Sequence, residues 1–299
     1  MTPPQRRLLD ALDAAQTPTV GSLFDIAQGV QTGNLKIFLL DDDAFRRLNP
    51  KEKPYFRDAL MTDSIESGRI VKQYHLFFPH RRNGPLFADE AALAAAVPIY
   101  YATVLKPNEE ALKARASIVR AKRADWWGLM HPRAGTFAFD DHPRIVSKFF
   151  GAEGSFALDA EARYLPSTGH VWTPKQNLLS IQPIGDQDVA EEMSEDVSEE
   201  ASLDVMRAYV ALLNSRAFVR LVSFRSVTIA GGQFDLSSRF LSAVFLPNLW
   251  EKAEDSIFGG HVQRLASVTM AAERGDRVHA GAVDRLVADL YGVPEFVES

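Results

Sequence analysis

The 299-residue chain contains no cysteine. That excludes disulfide scaffolds, thiol nucleophiles, Cys-ligated zinc and iron–sulfur clusters, and it fits a reducing cytoplasm, the expected location. Long apolar runs are also missing. The longest uncharged stretch in the middle of the chain, residues 91–105, has 15 residues and is interrupted by Pro98, whereas a bilayer span needs about 20. The opening residues carry Arg6 and Arg7 without a continuous apolar core or a small-residue cleavage pattern. They read as a short amphipathic helix through Leu8, Leu9 and Leu12 rather than as a leader. No G-x-G-x-x-G turn, Walker loop, G-x-S-x-G elbow or H-E-x-x-H helix occurs. The nearest glycine pair, Gly151 and Gly154, does not precede a helical pattern.

What is present is the balance of an ordinary globular protein: 46% apolar, 24% charged and 10% aromatic residues, enough to build one large domain or two modest ones. The net charge of −6 conceals a strong asymmetry. Nine acids and no base fall within residues 186–204, and without them the balance becomes +3. Conversely, Lys113, Arg115, Arg120, Lys122, Arg123, Arg133, Arg144 and Lys148 lie within 36 positions that hold only three acids. A basic face and an acidic loop therefore both follow from the pattern, and the total decides nothing about partners.

The first two-thirds read as short strands and loops. Apolar runs at 36–40, 74–78, 99–105 and 178–181 are bounded by Gly, Pro, Asn or Asp, which favours strands. Helices are expected over 88–96 and over 108–124, the latter opening on Asn108 and acids and closing on bases. The last third changes to helical periodicity, with helices over 200–223, 248–273 and 280–291 and a weaker one over 235–244. The expected class is α+β: a lead helix over 1–20, a mixed core over 21–185, the acidic loop over 186–204 and a helical section over 205–299.

The polar loop Gln28-Gly29-Val30-Gln31-Thr32-Gly33-Asn34, followed by Lys36, is the most informative segment. Its glycines could free backbone amides for phosphates or base edges, with Gln28, Gln31 and Lys36 beside them. The same residues equally describe a turn between strands with a capping Thr. Arg120, Lys122 and Arg123, followed by Trp126 and Trp127, supply cations with aromatic neighbours, and Arg133, Arg144 and Lys148 continue the supply. The plain reading puts one tryptophan in the core and half the bases on ordinary surface. Asp140 and Asp141, taken with Glu153, would be a degenerate metal site of an endonuclease; a solvated turn is the alternative.

These residues resemble the target-recognition domain of TaqI-like, N6-adenine-specific DNA methyltransferases, including single-chain type IIG restriction–modification enzymes. The Gln28–Asn34 loop is similar to their opening QGxxTG loop, and residues 48–53 to the polar insert that follows. Residues 126–133 (WWGLMHPR), 143–146 (PRIV) and 156–159 (FALD) then follow in the family's order, as do 209–218 (YVALLNSRAF), 231–234 (GGQF), 245–248 (FLPN) and 282–292 (AVDRLVADLYG). The likeness spans roughly residues 20–293, and its specificity lies in the number and order of the motifs.

The resemblance implies sequence-specific recognition of double-stranded DNA through Gln28, Gln31, Thr32, Gly33, Asn34, Lys36, Arg120, Lys122, Arg123, Trp127, Arg133, Arg144 and Lys148. It also implies a departure. The family's catalytic tetrapeptide (N/D)-P-P-(Y/F) and cofactor turn have no counterpart: Asn49-Pro50 runs into Lys51, and Lys53-Pro54-Tyr55 lacks the Asn and the first Pro. The expectation is a specificity module without catalysis of its own, with S-adenosylmethionine and base flipping on a methyltransferase partner. The alternatives are a type I-like specificity subunit, against which stands the single copy of the pattern, the endonuclease above, or an interaction protein that does not bind DNA.

Overall fold

A computed structural model describes residues 1–179, 191–229, 231–276 and 280–293. The fold is α+β. Its principal strands are β1 (Phe24–Gln28), β2 (Leu39–Leu40), β3 (Phe56–Leu60), β4 (Tyr74–Phe77), β5 (Arg144–Lys148), β6 (Phe150–Gly151), β7 (Phe156–Asp159), β8 (Leu165–Pro166), β9 (Gly169–Pro174), β10 (Thr228–Ile229) and β11 (Gln233–Asp235). The longer helices are α1 (Pro3–Ala14), α2 (Glu90–Ala96), α3 (Glu191–Leu213), α4 (Arg216–Ser223), α5 (Gly259–Glu273) and α6 (Ala280–Tyr291). None of the described helices is long and apolar enough to cross a membrane.

A four-stranded antiparallel sheet, ordered β1–β9–β5–β7, is the central partition. Successive side chains on a strand point to opposite faces. Ile145, Phe156, Leu158 and Trp172 therefore face one core, while Val146, Ala157 and Val171 face the other. The first core is built with the helices: Leu8 and Leu12 of α1, the buried side of α3, and α4 to α6. The second lies under a mixed sheet ordered β8–β3–β4–β2 and takes its apolar residues mainly from positions 30–138. A third small sheet, β6–β11–β10, stands at the end of β5.

Local chemistry explains several element boundaries. In α1 the Thr2 amide donates to Gln5 Oε1 at 2.7 Å and Pro3 occupies the first helical position, closing a capping box. Asp89 Oδ1 accepts the Ala92 amide at 2.7 Å and starts α2 inside the expected 88–96 window. The periodic stretch 200–223 is interrupted at Asn214 and Ser215. Asn214 turns its amide onto the edge strand β7, accepting from the Phe156 amide at 3.0 Å and donating to the Phe156 carbonyl at 2.9 Å. Ser215 then caps α4 through the Phe218 amide at 3.2 Å. One Asn-Ser pair thus ends one helix, begins the next and satisfies a sheet edge.

Other expectations are corrected. The 99–105 run is helical, not a strand: Pro98 opens it, and the buried Glu52 carboxylate accepts the amides of Ile99 at 2.6 Å and Tyr100 at 3.2 Å. A tertiary carboxylate caps a segment whose composition favours strand. The 36–40 run is a helical turn, Leu35–Phe38, followed by the two residues of β2. The helix expected over 108–124 divides into Glu109–Lys113 and Ala116–Ala121, with Arg115 extended between them. That over 248–273 divides into Leu249–Glu254 and α5, and 235–244 keeps only the turn Ser238–Leu241. Residues 191–204 of the acidic run belong to α3 rather than to a loop, and 186–190 lie outside the described residues. Of the expected strand 178–181, Leu178 and Leu179 belong to the helical turn Gln176–Leu179 and the rest lies outside them.

Candidate nucleic-acid interface

The polar loop after β1 and the 126–133 segment are about a hundred residues apart in sequence and meet in space. Gln31 and His131 form a reciprocal antiparallel bridge, amide to carbonyl, at 3.0 and 2.9 Å. Arg133 reaches back to the same loop, Nε to the Gly29 carbonyl and Nη2 to Gln28 Oε1, both at 3.3 Å. Its backbone adopts φ of +59°, a region that L-residues enter at a cost and that here turns the guanidinium toward the loop. Partial burial lowers the Arg133 pKa without threatening its charge.

Beneath this surface Arg115 acts as a spacer. Its guanidinium donates to the carbonyls of Leu112, Thr32, Trp126 and Gly128, fastening the loop to the following segment. Desolvation and the nearby Arg123 push its pKa down to about 10, so it stays charged at neutral pH. Nothing in the sequence singles out Arg115 from the other bases, because its role depends on the carbonyls of Thr32, Trp126 and Gly128 in other turns.

The glycines of the loop do structural work. A Cβ on Gly29 would lie 2.2 Å from the Pro166 carbonyl oxygen, so only glycine fits where the loop crosses β8. The amides of Gly29, Val30 and Gln31 donate to Gly169, Pro166 and His131, and the Asn34 amide donates to Thr32 Oγ1. Those four amides are committed within the fold, so the phosphate-cradle reading fails for them and the turn reading holds. Thr32 is buried. Gln28, Gly33 and Lys36 are exposed, and Gln31 and Asn34 half-buried. The surface offers side chains rather than a backbone nest.

The register of the central sheet extends this surface. Gln28 pairs with His170, Gly169 pairs with Lys148, and the Gly29 amide bonds to Gly169 at 2.9 Å. Lys148, half-buried, therefore stands at the same sheet end as Gln28 and Arg133. Arg120 and Lys122 are exposed at the end of the Ala116–Ala121 helix, with Lys122 in the left-handed cap conformation.

Three expected contacts are corrected. Arg144 is 1% exposed: Nε pairs with Asp159 at 3.0 Å, and Nη1 and Nη2 donate to the carbonyls of Phe137, Ala162 and Tyr164 at 2.8 Å. Every direction a phosphate could approach is already occupied by protein. Trp127 is buried in an edge-to-face pair with Trp126, so both tryptophans are core, not one. Arg123 is bound to Asp125 and the Leu129 carbonyl and serves the same packing. The metal reading is corrected as well. Asp140 and Asp141 line an open cavity of about 660 Å³ with Arg57 and Arg163, whereas Glu153 lies 3.6 Å from Arg216. Among the described residues no group of three or more His, Asp or Glu side chains could hold a metal ion.

His131 adds a contact residue that the basic pattern of the sequence does not mark. It is exposed and its backbone is locked to Gln31; its place inside the 126–133 motif was the available signal. His80, by contrast, is buried and accepts the Leu129 amide at 2.9 Å; desolvation and Arg123 lower its pKa to about 4.

No family model and no curated protein match the chain. Among solved structures it is similar to the Type IIL restriction–modification enzyme MmeI in complex with DNA, with a TM-score of 0.40 and 11% identity over 94% of this chain. The chain spans 37% of the length of that one.

Proposed function

We propose that the chain is a sequence-recognition module of a restriction–modification system, binding double-stranded DNA and serving an adenine-N6 methyltransferase carried elsewhere. The observation that carries this reading is the joining of two distant motifs into one polar, basic surface: Gln31 to His131 through the backbone, and Arg133 to Gln28 and Gly29 through the side chain. Gln28, Gln31, Asn34 and His131 have the donors and acceptors that base edges require. Arg133, Lys36, Lys148, Arg120 and Lys122 supply charge for phosphates. The ordered resemblance of the sequence to methyltransferase recognition domains supplies the class. S-adenosylmethionine belongs to the partner, which receives the flipped base while this chain holds the duplex.

The test is fluorescence anisotropy with duplexes selected from a random pool on the immobilised protein. Affinity should fall steeply with salt, since each neutralised phosphate contributes about −0.9 to the slope of log K against log salt. Failure to enrich any duplex, or binding that ignores salt, defeats the proposal. Co-purification with a chain carrying the (N/D)-P-P-(Y/F) tetrapeptide tests the partner separately.

A further inference from the structure

The third sheet carries an unused surface. In it Phe150 pairs with Asp235 and Gly151 with Phe234, while Thr228 pairs with Phe234 and Ile229 with Gln233. Directly paired residues share a face, and neighbours along a strand alternate. Phe234 packs on the helical core, so the row of Phe150, Val227, Ile229 and Gln233 points away from it. Phe150 is 42% exposed and Val227, just before β10, is 51% exposed; they stand on either side of the middle strand β11. Asp235 lies in the same row, but its carboxylate accepts the Ser237 amide at 2.8 Å. At the tip, Gly231 and Gly232 both have φ above +70°, and no atom lies within 4 Å of where a side chain would begin.

This row adjoins the interface described above. Lys148 ends β5 and Phe150 begins β6, while Phe149 between them sits edge-on to His170, the pairing partner of Gln28. Exposed Arg225 and Arg239 bracket the hairpin in sequence. The row thus holds Phe150, Val227 and Ile229 together with Gln233 and an Asp235 whose carboxylate is bonded to a backbone amide. With Lys148 two residues from Phe150 and an open glycine tip, it has the shape of an element that enters a duplex groove. Proteins that widen a groove press an apolar wedge between base steps and hold the flanking phosphates with bases.

We infer that the β10–β11 hairpin and Phe150 form a second DNA-contacting element, with Phe150 as an apolar wedge that bends the duplex. This rests on the proposed function and deepens it, and nothing in the resemblance assigns a role to Phe150.

The experiment compares wild type, Phe150→Ala and Phe150→Leu on the selected duplex, labelled at both ends for energy transfer. Wild-type binding should shorten the end-to-end distance. Phe150→Ala should weaken binding at least about five-fold, the lower range for losing a base-stacking aromatic, and should abolish the shortening. Phe150→Leu, still a wedge, should restore most of both. Circular dichroism and melting of all three should coincide, because the side chain is exposed. Wild-type binding with no bend, or an alanine variant that binds and bends like wild type, overturns the wedge and leaves the recognition function standing; the apolar row would then belong to a protein partner. If the wild type enriches no duplex, the recognition function falls and takes this inference with it.

Discussion

The two faces of the central sheet are held by different means. On the helical face, regular elements satisfy their own backbone and side chains fill space: Phe24, Phe156, Trp172, Tyr209 and Trp250 form a connected aromatic cluster. Its polar ties are few and specific, such as Tyr209 accepting from the Leu249 amide at 2.8 Å while donating to the Pro247 carbonyl. On the opposite face the chain runs through short turns that leave carbonyls without ladder partners. Arginines collect them: Arg115 takes four, Arg144 takes three with Asp159, and Arg57 and Arg82 take those of Ala138 and Phe139. A guanidinium has five donors in a fixed fork, so it can replace the missing ladder at one point. A cluster of bases in sequence is therefore as much a sign of irregular backbone as of nucleic acid.

This contrast can be broken by experiment. The largest effects should come from one deletion on each face. Arg144→Ala removes the buried counter-charge of Asp159 and the donors to three carbonyls and should cost about 3–5 kcal/mol in urea unfolding, while DNA affinity per folded molecule stays unchanged. Trp172→Ala on the helical face should cost a similar amount, about 3–5 kcal/mol, through its cavity. If Arg144→Ala left stability intact and weakened binding, the division of labour between the faces would be wrong.

The next effect is in pH. His80 is neutral in the fold, with a pKa near 4 against 6.5 for an ordinary histidine. The unfolded chain takes up the proton first as pH falls. The stability contribution is therefore complete above pH 6.5 and declines between 6.5 and 4, by at most about 3 kcal/mol. His80→Asn should flatten this part of the profile of unfolding midpoint against pH; an unchanged slope would assign the acid sensitivity to other groups.

Smaller still, Asn214→Ala removes two bonds to the outer edge of β7 and should cost about 1–3 kcal/mol, with hydrogen exchange accelerating at the Phe156 amide. A loss spread evenly over the sheet would speak against an edge role. The smallest change in stability is expected for Arg133→Ala, below about 1 kcal/mol, yet with weakened DNA binding and a salt slope shallower by about one. A large loss of stability with unchanged affinity would class Arg133 with Arg144.

The two kinds of arginine could not be told apart in the sequence. Arg133 and Arg144 sit 11 positions apart, each in a motif of the same resemblance, and only burial separates an available cation from an occupied one. The same limit governed the loop at 28–34: its turn chemistry was legible in Gly29, Thr32 and Asn34, whereas its approach to Pro166 and His131 depended on chain segments a hundred or more residues away. Trp126 and Trp127 carried no sign that both would be core, because adjacent positions face opposite ways only in a regular element, and theirs is a turn.

What the sequence determined by itself is local and periodic. The 3.6-residue pattern placed α1 and α6 and the helical character of the last third, and Pro3 stands at the first position of α1, because caps and amphipathic faces act within one or two turns. What tertiary structure alone decided is non-local. The buried carboxylate of Glu52 made a helix of the β-prone run after Pro98, and Arg115 broke the 108–124 helix by bending into distant carbonyls. The two faces of the central sheet were assigned in the same way. Alternation along a strand shows that its residues part to two sides; which side meets the helices depends on where the rest of the chain packs, and buried hydrogen bonds and charges then hold that choice because leaving them unpaired costs more than local propensity gains.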